Sequence, residues 1–237
     1  MWPDRRLLDL FGIEHPIVQA PMAGAQGSAL AIAVSAAGGL GSLPCALLSP
    51  EQIRSELQII RQRTDKPINL NFFCHEPPAA DPVREAAWVE TLAPYRRELG
   101  VETATMPGLR APFDEETCSL VEASKPRVVS FHFGLPREAL LRRVKAAGAV
   151  VISSATTVAE ARWLEERGVD AVIAQGAEAG GHRGIFLTEA VASQPGTFAL
   201  VPQVADAVRV PVIAAGGIGD ARGIVAALAL GAAGVQI

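Results

Sequence analysis

A glycine-rich run surrounds one histidine in the second half of the chain, reading Gln175-Gly176-Ala177-Glu178-Ala179-Gly180-Gly181-His182-Arg183-Gly184. Such a loop adopts positive φ angles or lets its backbone approach a bound group closely. A histidine beside it is a candidate base or anion stabiliser, because the imidazole pKa lies near neutrality. We therefore predict that His182 takes part in the reaction as a base or as a stabiliser of an anion. The alternative is a surface histidine beside a flexible loop, and Arg183 either pairs with an anion or is simply solvated.

A second glycine run, Ala214-Ala215-Gly216-Gly217-Ile218-Gly219-Asp220, leaves an apolar stretch and opens a helical pattern. Glycines there let backbone N–H groups approach an anion, and the start of a helix favours negative charge. The run therefore predicts a phosphate site, with a plain tight turn as the alternative. Its spacing is not GxGxxG, which argues against a Rossmann dinucleotide fold.

Both runs follow short apolar stretches that are expected to be strands buried on both faces. Eight such stretches are present, at residues 16–20, 39–44, 67–73, 128–133, 150–154, 171–175, 211–215 and 234–237. Helical patterns separate them, at 28–37, 50–64, 137–147, 157–167 and 220–230. Eight strands alternating with helices predict an α/β fold, a closed (β/α)8 TIM barrel that ends at its eighth strand.

The active site of such a barrel is built at the C-terminal ends of its strands. That rule selects Ala20-Pro21-Met22-Ala23-Gly24 after the first strand, and Asn69 and Asn71 on the third. It also selects His132, Gln175, Ala215 and Gln236 at the ends of later strands. His132 lines the site or is a satisfied core histidine. His75 and Cys74 are weaker candidates, and His15 lies at the wrong end and is expected to be structural.

The connection between the third and fourth strands is too long for a simple unit. Residues 74–127 contain several prolines and are predicted to form an insertion with helices at 82–99 and 114–123 and an irregular loop at 100–113. Long loops of this kind are either lids over a site or decorated surface excursions. We expect one domain, residues 1–237, that carries this insertion.

Composition excludes several classes of protein. The net charge is −4, which argues against a nucleic-acid-binding surface. The three cysteines are widely spaced and form neither a disulfide framework nor a metal-binding pattern, so we predict no metal and a reduced, cytoplasmic compartment. No leader peptide and no membrane-spanning stretch is expected.

Six stretches together resemble the nitronate monooxygenase family, formerly called 2-nitropropane dioxygenases, and within it the bacterial class I group. They are PIVQAPMAG, AAGGLGSL, DKPINLNFFCH, VVSFHFG, VDAVIAQGAEAGGHRG and VPVIAAGGIGDARGIVAALALGAAGVQI, and they span nearly the whole chain. The resemblance implies FMN as cofactor and an oxidation of alkyl nitronates by dioxygen to a carbonyl compound and nitrite. Propionate 3-nitronate is an example of the substrate class.

The resemblance also implies roles for single residues. His182 would be the catalytic histidine, which either takes a proton from a nitroalkane or stabilises the bound nitronate. His132 would be a second catalytic residue in the pocket. Pro21, Met22 and Ala23 would line the isoalloxazine ring. Gln175, together with either Asn69 or Asn71, would form hydrogen bonds with the flavin or its ribityl group. The residues expected at the ribityl phosphate end are Gly180, Gly181, Gly216, Gly217 and Gln236, and Ala215 is a further expected cofactor-binding residue.

The chain departs from the family pattern in one respect: it lacks the C-terminal helix and the lid segment that follow the eighth strand in family members. Without that helix, the outer face of the eighth strand is expected to be uncovered, and a second copy of the chain in a homo-oligomer would cover it. Two alternatives stay open. One is another flavin barrel of the same superfamily, an NAD(P)H:quinone reductase or an enoyl reductase, and the other is a truncated, inactive flavin- or phosphate-binding module.

Overall fold

A computed structural model describes residues 2–101 and 111–237. Their elements are helices α1 (Arg6–Phe11), α2 (Ser28–Ala36), α3 (Pro50–Arg63), α4 (Pro82–Leu99), α5 (Glu115–Ser124), α6 (Glu138–Ala146), α7 (Val158–Glu166), α8 (Thr197–Ala207) and α9 (Ala221–Ala229). The strands are β1 (Ile17–Val18), β2 (Gly41–Pro44), β3 (Ile68–Phe73), β4 (Val128–His132), β5 (Val150–Ala155), β6 (Ala171–Gln175), β7 (Val212–Ala215) and β8 (Gly234–Gln236). A short 3-10 helix spans Val191–Ser193.

The eight strands form one parallel sheet in the order β1-β8-β7-β6-β5-β4-β3-β2. A parallel bridge between Val18 and Leu40 joins the first strand to the residue before the second. Backbone bonds from Leu40 N–H to Ile17 O and from Gln19 N–H to Leu40 O, each 2.9 Å long, complete the ring. The prediction of a (β/α)8 barrel is therefore confirmed.

Two hydrophobic clusters hold the barrel. The larger one lies between the strands and the helices around them. The smaller one joins Leu7, Leu8 and Phe11 of α1 to the first residues of the inner strands, such as Val128 and Val150. The sequence analysis did not predict α1, which covers the N-terminal mouth of the barrel with these side chains. Any open site of the barrel therefore lies at its other end.

Where a side chain close in sequence caps a helix, the helix begins where the sequence predicted. Ser49 and Gln52 form a capping box at the start of α3, and Thr157 accepts a bond from Glu160 N–H at the start of α7. Helix α8 was not predicted, because Gly196 offers no capping side chain and Pro202 lies inside the helix. Both features favour a loop in a sequence pattern.

The described residues between 76 and 111 belong to a second compact unit of the chain. Its helix α4 begins after Asp81, whose side chain accepts a bond from Arg84 N–H, and ends at Gly100, where φ is +62°. The predicted insertion helices at 82–99 and 114–123 correspond to α4 and α5, whereas most of the predicted irregular loop at 100–113 lies outside the described residues. Among the helices that are described, none is long and apolar enough to span a membrane.

Candidate functional site

A cavity of about 360 Å³ opens at the C-terminal ends of the strands. All but one of the fourteen predicted site residues lie in its wall. They are Pro21, Met22, Ala23, Asn71, His132, Gln175, Gly180, Gly181, His182, Ala215, Gly216, Gly217 and Gln236. The loops after β1, β6 and β7 and the ends of β3, β4 and β8 thus meet at one place, because parallel strands present their C-terminal ends at the same end of a barrel.

Asn69 is the predicted residue that the structure does not bring into the wall. It is fully buried inside the barrel. Its side-chain amide donates to Ser42 Oγ at 3.0 Å and to Ser130 Oγ at 2.9 Å. Asn71, two residues further along β3, reaches the cavity and donates to the same Ser130 Oγ at 3.0 Å. The pair Asn69 and Asn71 is therefore divided between the barrel interior and the cavity.

Several residues of the wall were missed, namely Phe73, Ser154, Ile173, Ala179, Ile218 and Ile237. Ser154 is the one that a fuller use of the barrel rule finds, since it lies near the end of β5 as His132 lies at the end of β4. The apolar residues give no chemical signal in a sequence. Their place in the wall depends on the direction in which each loop leaves its strand.

His182 lies at the rim of the cavity and is exposed. Its ring packs edge-on against Phe73, with centroids 5.2 Å apart, and against Phe133 at 5.9 Å. Phe133 holds a positive φ of 65°, which is unusual for a residue other than glycine and turns the chain at the end of β4. The ring nitrogens of His182 form no hydrogen bond with the described part of the chain, so they are free to meet a ligand.

His132 is held by two hydrogen bonds. Its Nδ1 lies 3.1 Å from Ser154 Oγ and its Nε2 lies 3.2 Å from the backbone oxygen of His182. Because a carbonyl only accepts, Nε2 carries the proton in the arrangement that satisfies both bonds. Burial lowers the pKa of His132 to about 4, against the partly opposing bond to His182 O. The ring is therefore neutral near pH 7 and orients the backbone of His182.

Gln175 fixes the same stretch of backbone from β6. Its side-chain amide donates to His182 O at 3.0 Å, and its Oε1 accepts from Gly184 N–H at 2.7 Å. A Cβ on Gly184 would lie 2.7 Å from Cε1 of His132, so a larger residue at this position would displace the His132 ring. His132 and Gln175 together hold the backbone on both sides of Arg183, whose guanidinium donates to Gln194 at 2.8 Å.

The two glycine runs lie side by side in the cavity wall, where a Cβ on Gly216 would come within 2.9 Å of the backbone nitrogen of Ala179. The N–H groups of Gly180, Gly181 and Gly217 make no hydrogen bond with other described residues, and they offer a set of donors for an anion. The first turn of α9 does not belong to this set, because its N–H groups at Arg222 and Gly223 already donate to the Asp220 carboxylate. The donors come from the loops and not from the helix end.

A link between the two runs passes through α8. Glu178, in the first run, accepts bonds from Thr197 N–H at 2.7 Å and from Thr197 Oγ at 2.9 Å. Burial acts to raise the pKa of Glu178, but the bonds from Thr197 hold it below its ordinary value. Thr197 Oγ also lies 2.9 Å from Gly216 O in the second run. The carboxylate of Glu178 thereby caps α8 and fixes the spacing of the two loops.

Gln236, on β8, contributes a polar atom that the protein leaves unused. Its Oε1 is buried and has no hydrogen-bond partner among the described residues. Buried polar atoms are almost always paired, so an unpaired acceptor in the wall of a cavity indicates a ligand that donates to it. Within the described ranges, the cavity wall holds no Lys, Arg, Asp or Glu side chain.

The weaker candidates lie away from the cavity wall. His15 packs against Trp2 before β1, with ring centroids 6.0 Å apart. His75 packs beside Phe73 and Phe133 and lies outside the wall. Burial raises the pKa of the Cys74 thiol well above its usual range. No group of three His, Cys, Asp or Glu side chains in residues 2–101 and 111–237 could hold a metal ion.

Comparison with known proteins gives consistent results. The sequence model of the nitronate monooxygenase family matches residues 4–237. A nitronate monooxygenase from Paraburkholderia phytofirmans is 47% identical over 98% of this chain and 64% of its own length. The crystal structure of a nitroalkane oxidase from Streptomyces ansochromogenes has a TM-score of 0.89 and 37% identity, covering 98% of this chain and 66% of that one.

A second solved structure is almost as similar in sequence. FabK from Thermotoga maritima has a TM-score of 0.72 and 35% identity, covering 98% of this chain and 60% of that one. In every case the match takes in nearly all of this chain. The chain spans about two thirds, or slightly less, of the length of these relatives.

Proposed function

The chain belongs to the nitronate monooxygenase family, and we propose that it binds FMN and oxidises alkyl nitronates, such as propionate 3-nitronate, with dioxygen to a carbonyl compound and nitrite. One observation carries the proposal: free glycine N–H groups, the unpaired acceptor of Gln236 and the free ring of His182 share one cavity. The first two suit a phosphorylated cofactor and the third suits a small anionic substrate.

The residues present fit FMN by the chemistry of their donors and acceptors. The N–H groups of Gly180, Gly181 and Gly217 are suited to phosphate oxygens, which only accept hydrogen bonds. Gln236 Oε1 needs a donor, which a ribityl hydroxyl supplies. Pro21, Met22 and Ala23 give a wall for the ring system.

FMN, when bound, supplies the electron transfer that no side chain of the cavity can perform. The protein has to position the substrate beside it and manage charge and protons. A nitronate is an anion, and the wall contains no carboxylate to repel it. We assign its binding to His182, whose ring nitrogens have no hydrogen-bond partner among the described residues and whose edge-on contacts with Phe73 and Phe133 limit where the ring can lie.

His132 has a different part in this proposal from the one predicted for it. A ring with a pKa of about 4 is a weak base near neutrality, and both of its nitrogens are already occupied. We assign to it the orientation of the His182 backbone and not a proton transfer. His182 alone remains as the residue that either takes a proton from a nitroalkane or stabilises the nitronate.

The test begins with the spectrum of the purified chain after FMN is added and excess FMN is removed. We expect a bound flavin spectrum, and bleaching of its absorbance when propionate 3-nitronate is mixed in without oxygen. Readmission of dioxygen should restore the absorbance and release nitrite. Bleaching by NADH but not by the nitronate would instead support the reductase alternative. A chain that stays colourless with FMN contradicts the flavoenzyme proposal.

A further inference from the structure

Glu160 is a carboxylic acid buried on the inner side of helix α7, and its side chain is not part of the cavity wall. One oxygen accepts from Thr156 N–H at 2.6 Å and from Thr156 Oγ at 2.7 Å. The other accepts from Phe186 N–H at 2.7 Å and from Leu187 N–H at 3.2 Å. We propose that Glu160 is a positioning residue for His182, an inference that rests on the function proposed above.

The backbone of residues 182–187, here called the His182 loop, is anchored at two places. At its start, His182 O accepts from Gln175 and His132, and Gly184 N–H donates to Gln175. At its end, the only side-chain acceptor among the described residues is the Glu160 carboxylate, which takes two consecutive N–H groups. Without Glu160, the second half of the loop would lose its polar anchor.

Within residues 2–101 and 111–237, no hydrogen bond fixes the direction of the His182 ring. Its orientation therefore depends on the backbone that carries it and on contacts with Phe73 and Phe133. Phe186 adds to the anchoring at Glu160, because its ring packs against Trp163 of the same helix with centroids 5.1 Å apart. A carboxylate on an outer helix thus controls the place of a ring at the cavity rim.

Helix α7 also supplies a matched control. Glu165 lies five residues further along it and likewise accepts from two consecutive backbone N–H groups, those of Arg209 and Val210. These two residues precede β7, so this bond lies at the N-terminal end of the barrel, away from the cavity. Glu165→Gln makes the same chemical change on the same helix and leaves the His182 loop untouched.

In Glu160→Gln, an NH2 group replaces one of the two carboxylate oxygens. That group cannot accept a hydrogen bond, so the backbone N–H donors that face it lose their acceptor and the negative charge is lost. With the FMN-loaded protein, we expect kcat/KM for propionate 3-nitronate to fall about ten- to a hundredfold, since a misplacement near 1 Å costs on that order. Glu165→Gln should stay within about twofold. If Glu160 acts through His182, adding Glu160→Gln to His182→Ala lowers activity by less than about twofold more. Independent, multiplying losses would overturn the proposal.

Trypsin cleavage after Arg183 gives a readout that does not depend on turnover. Release of the His182 loop should raise the rate of cleavage between Arg183 and Gly184 in Glu160→Gln at least about fivefold over Glu165→Gln, because local opening exposes the loop. Mass spectrometry identifies the fragment, and equal rates in the two variants refute the proposal. If Glu160→Gln fails to fold, Thr156→Val, which removes one of the four donors, is tested for the same increase.

The kinetic measurement and the cleavage assay together distinguish failure of this proposal from failure of the proposed function on which it rests. A wild-type protein that binds no FMN, or that leaves the nitronate unchanged, contradicts the proposed function. The cleavage assay then still decides whether Glu160 anchors the loop. Normal turnover in the wild type together with unchanged kcat/KM in Glu160→Gln refutes the positioning role alone.

Discussion

Gly216 lies in the loop after β7, where an alanine would have neither a favourable backbone conformation nor space for its methyl group. Its φ is +114°, a region that residues with a Cβ rarely adopt. A Cβ built there would lie 2.8 Å from Thr197 Oγ and 2.9 Å from the backbone nitrogen of Ala179. The second contact is with backbone, so it cannot be relieved by a rotation of a side chain. Gly216→Ala should therefore push the two glycine runs apart.

The expected loss of stability has two parts. A residue held at a sparsely populated φ costs about 1–3 kcal/mol. Overpacking a close contact costs about 1–3 kcal/mol more. The free energy of unfolding should thus fall by about 2–6 kcal/mol, against a typical total of about 5–15 kcal/mol. In a domain of this size each kcal/mol lowers the Tm by about 2–4 °C, so we expect a Tm at least about 4 °C lower.

Thermal unfolding followed by circular dichroism, on protein without FMN, measures this loss directly. Gly219→Ala in the same loop is the control, because a Cβ there meets no atom within 4 Å and its φ is not in the left-handed region. That variant should unfold within about 1 kcal/mol of the wild type. If Gly216→Ala unfolds at the same temperature as Gly219→Ala, then the loop relaxes freely and our account of the glycine is wrong.

Three further predictions concern the polar residues of the cavity. His182→Ala should bind FMN as the wild type does and lose about 10²–10⁴-fold in turnover of the nitronate, and a loss under about fivefold would remove His182 from its assigned role. His132 is protonated in the unfolded chain below about pH 6.5 but in the folded chain only below about 4. Its contribution to stability is therefore complete above pH 6.5 and is lost as the pH falls towards 4, by no more than about 3 kcal/mol because the ring is only half-buried. Urea unfolding at pH 7 and pH 4.5 should show a smaller loss in His132→Gln than in the wild type, and equal losses would contradict the assignment. Gln236→Leu should weaken FMN binding about five- to tenfold, the equivalent of one hydrogen bond, and leave the urea midpoint of the FMN-free protein unchanged, because Oε1 has no partner to lose in the part of the chain that the structure describes. Unchanged FMN affinity would show that this oxygen does not contact the cofactor.

The alternation of strands and helices along the chain, and the positions of the chemically active residues within it, could be predicted from the amino-acid sequence. Short, fully apolar stretches separated by helical patterns have few folds available to them other than a parallel barrel. Once that fold is assumed, the C-terminal ends of the strands fall at fixed places in the chain. His132, Gln175, His182 and Gln236 were assigned to the cavity in this way, without knowledge of any contact.

What the sequence did not contain is the direction of single side chains and the bonds between segments far apart in the chain. Asn69 and Asn71 are identical in type and two residues apart, yet Asn69 is bonded inside the barrel and Asn71 faces the cavity. Helix α8 has no capping residue of its own, and Glu178 supplies the cap from nineteen positions before Thr197.

The tertiary structure also decided which acid groups support the site. In the sequence, Glu160 is an ordinary residue in the first turn of a helix, and its backbone N–H donates to the capping residue Thr157. None of its neighbours along the chain indicates that its side chain binds the backbone of residues 186 and 187. The physical reason is common to these cases. Periodicity and residue type are local and follow from the backbone of one segment, whereas pairing of a buried polar group depends on which loop the fold brings to it.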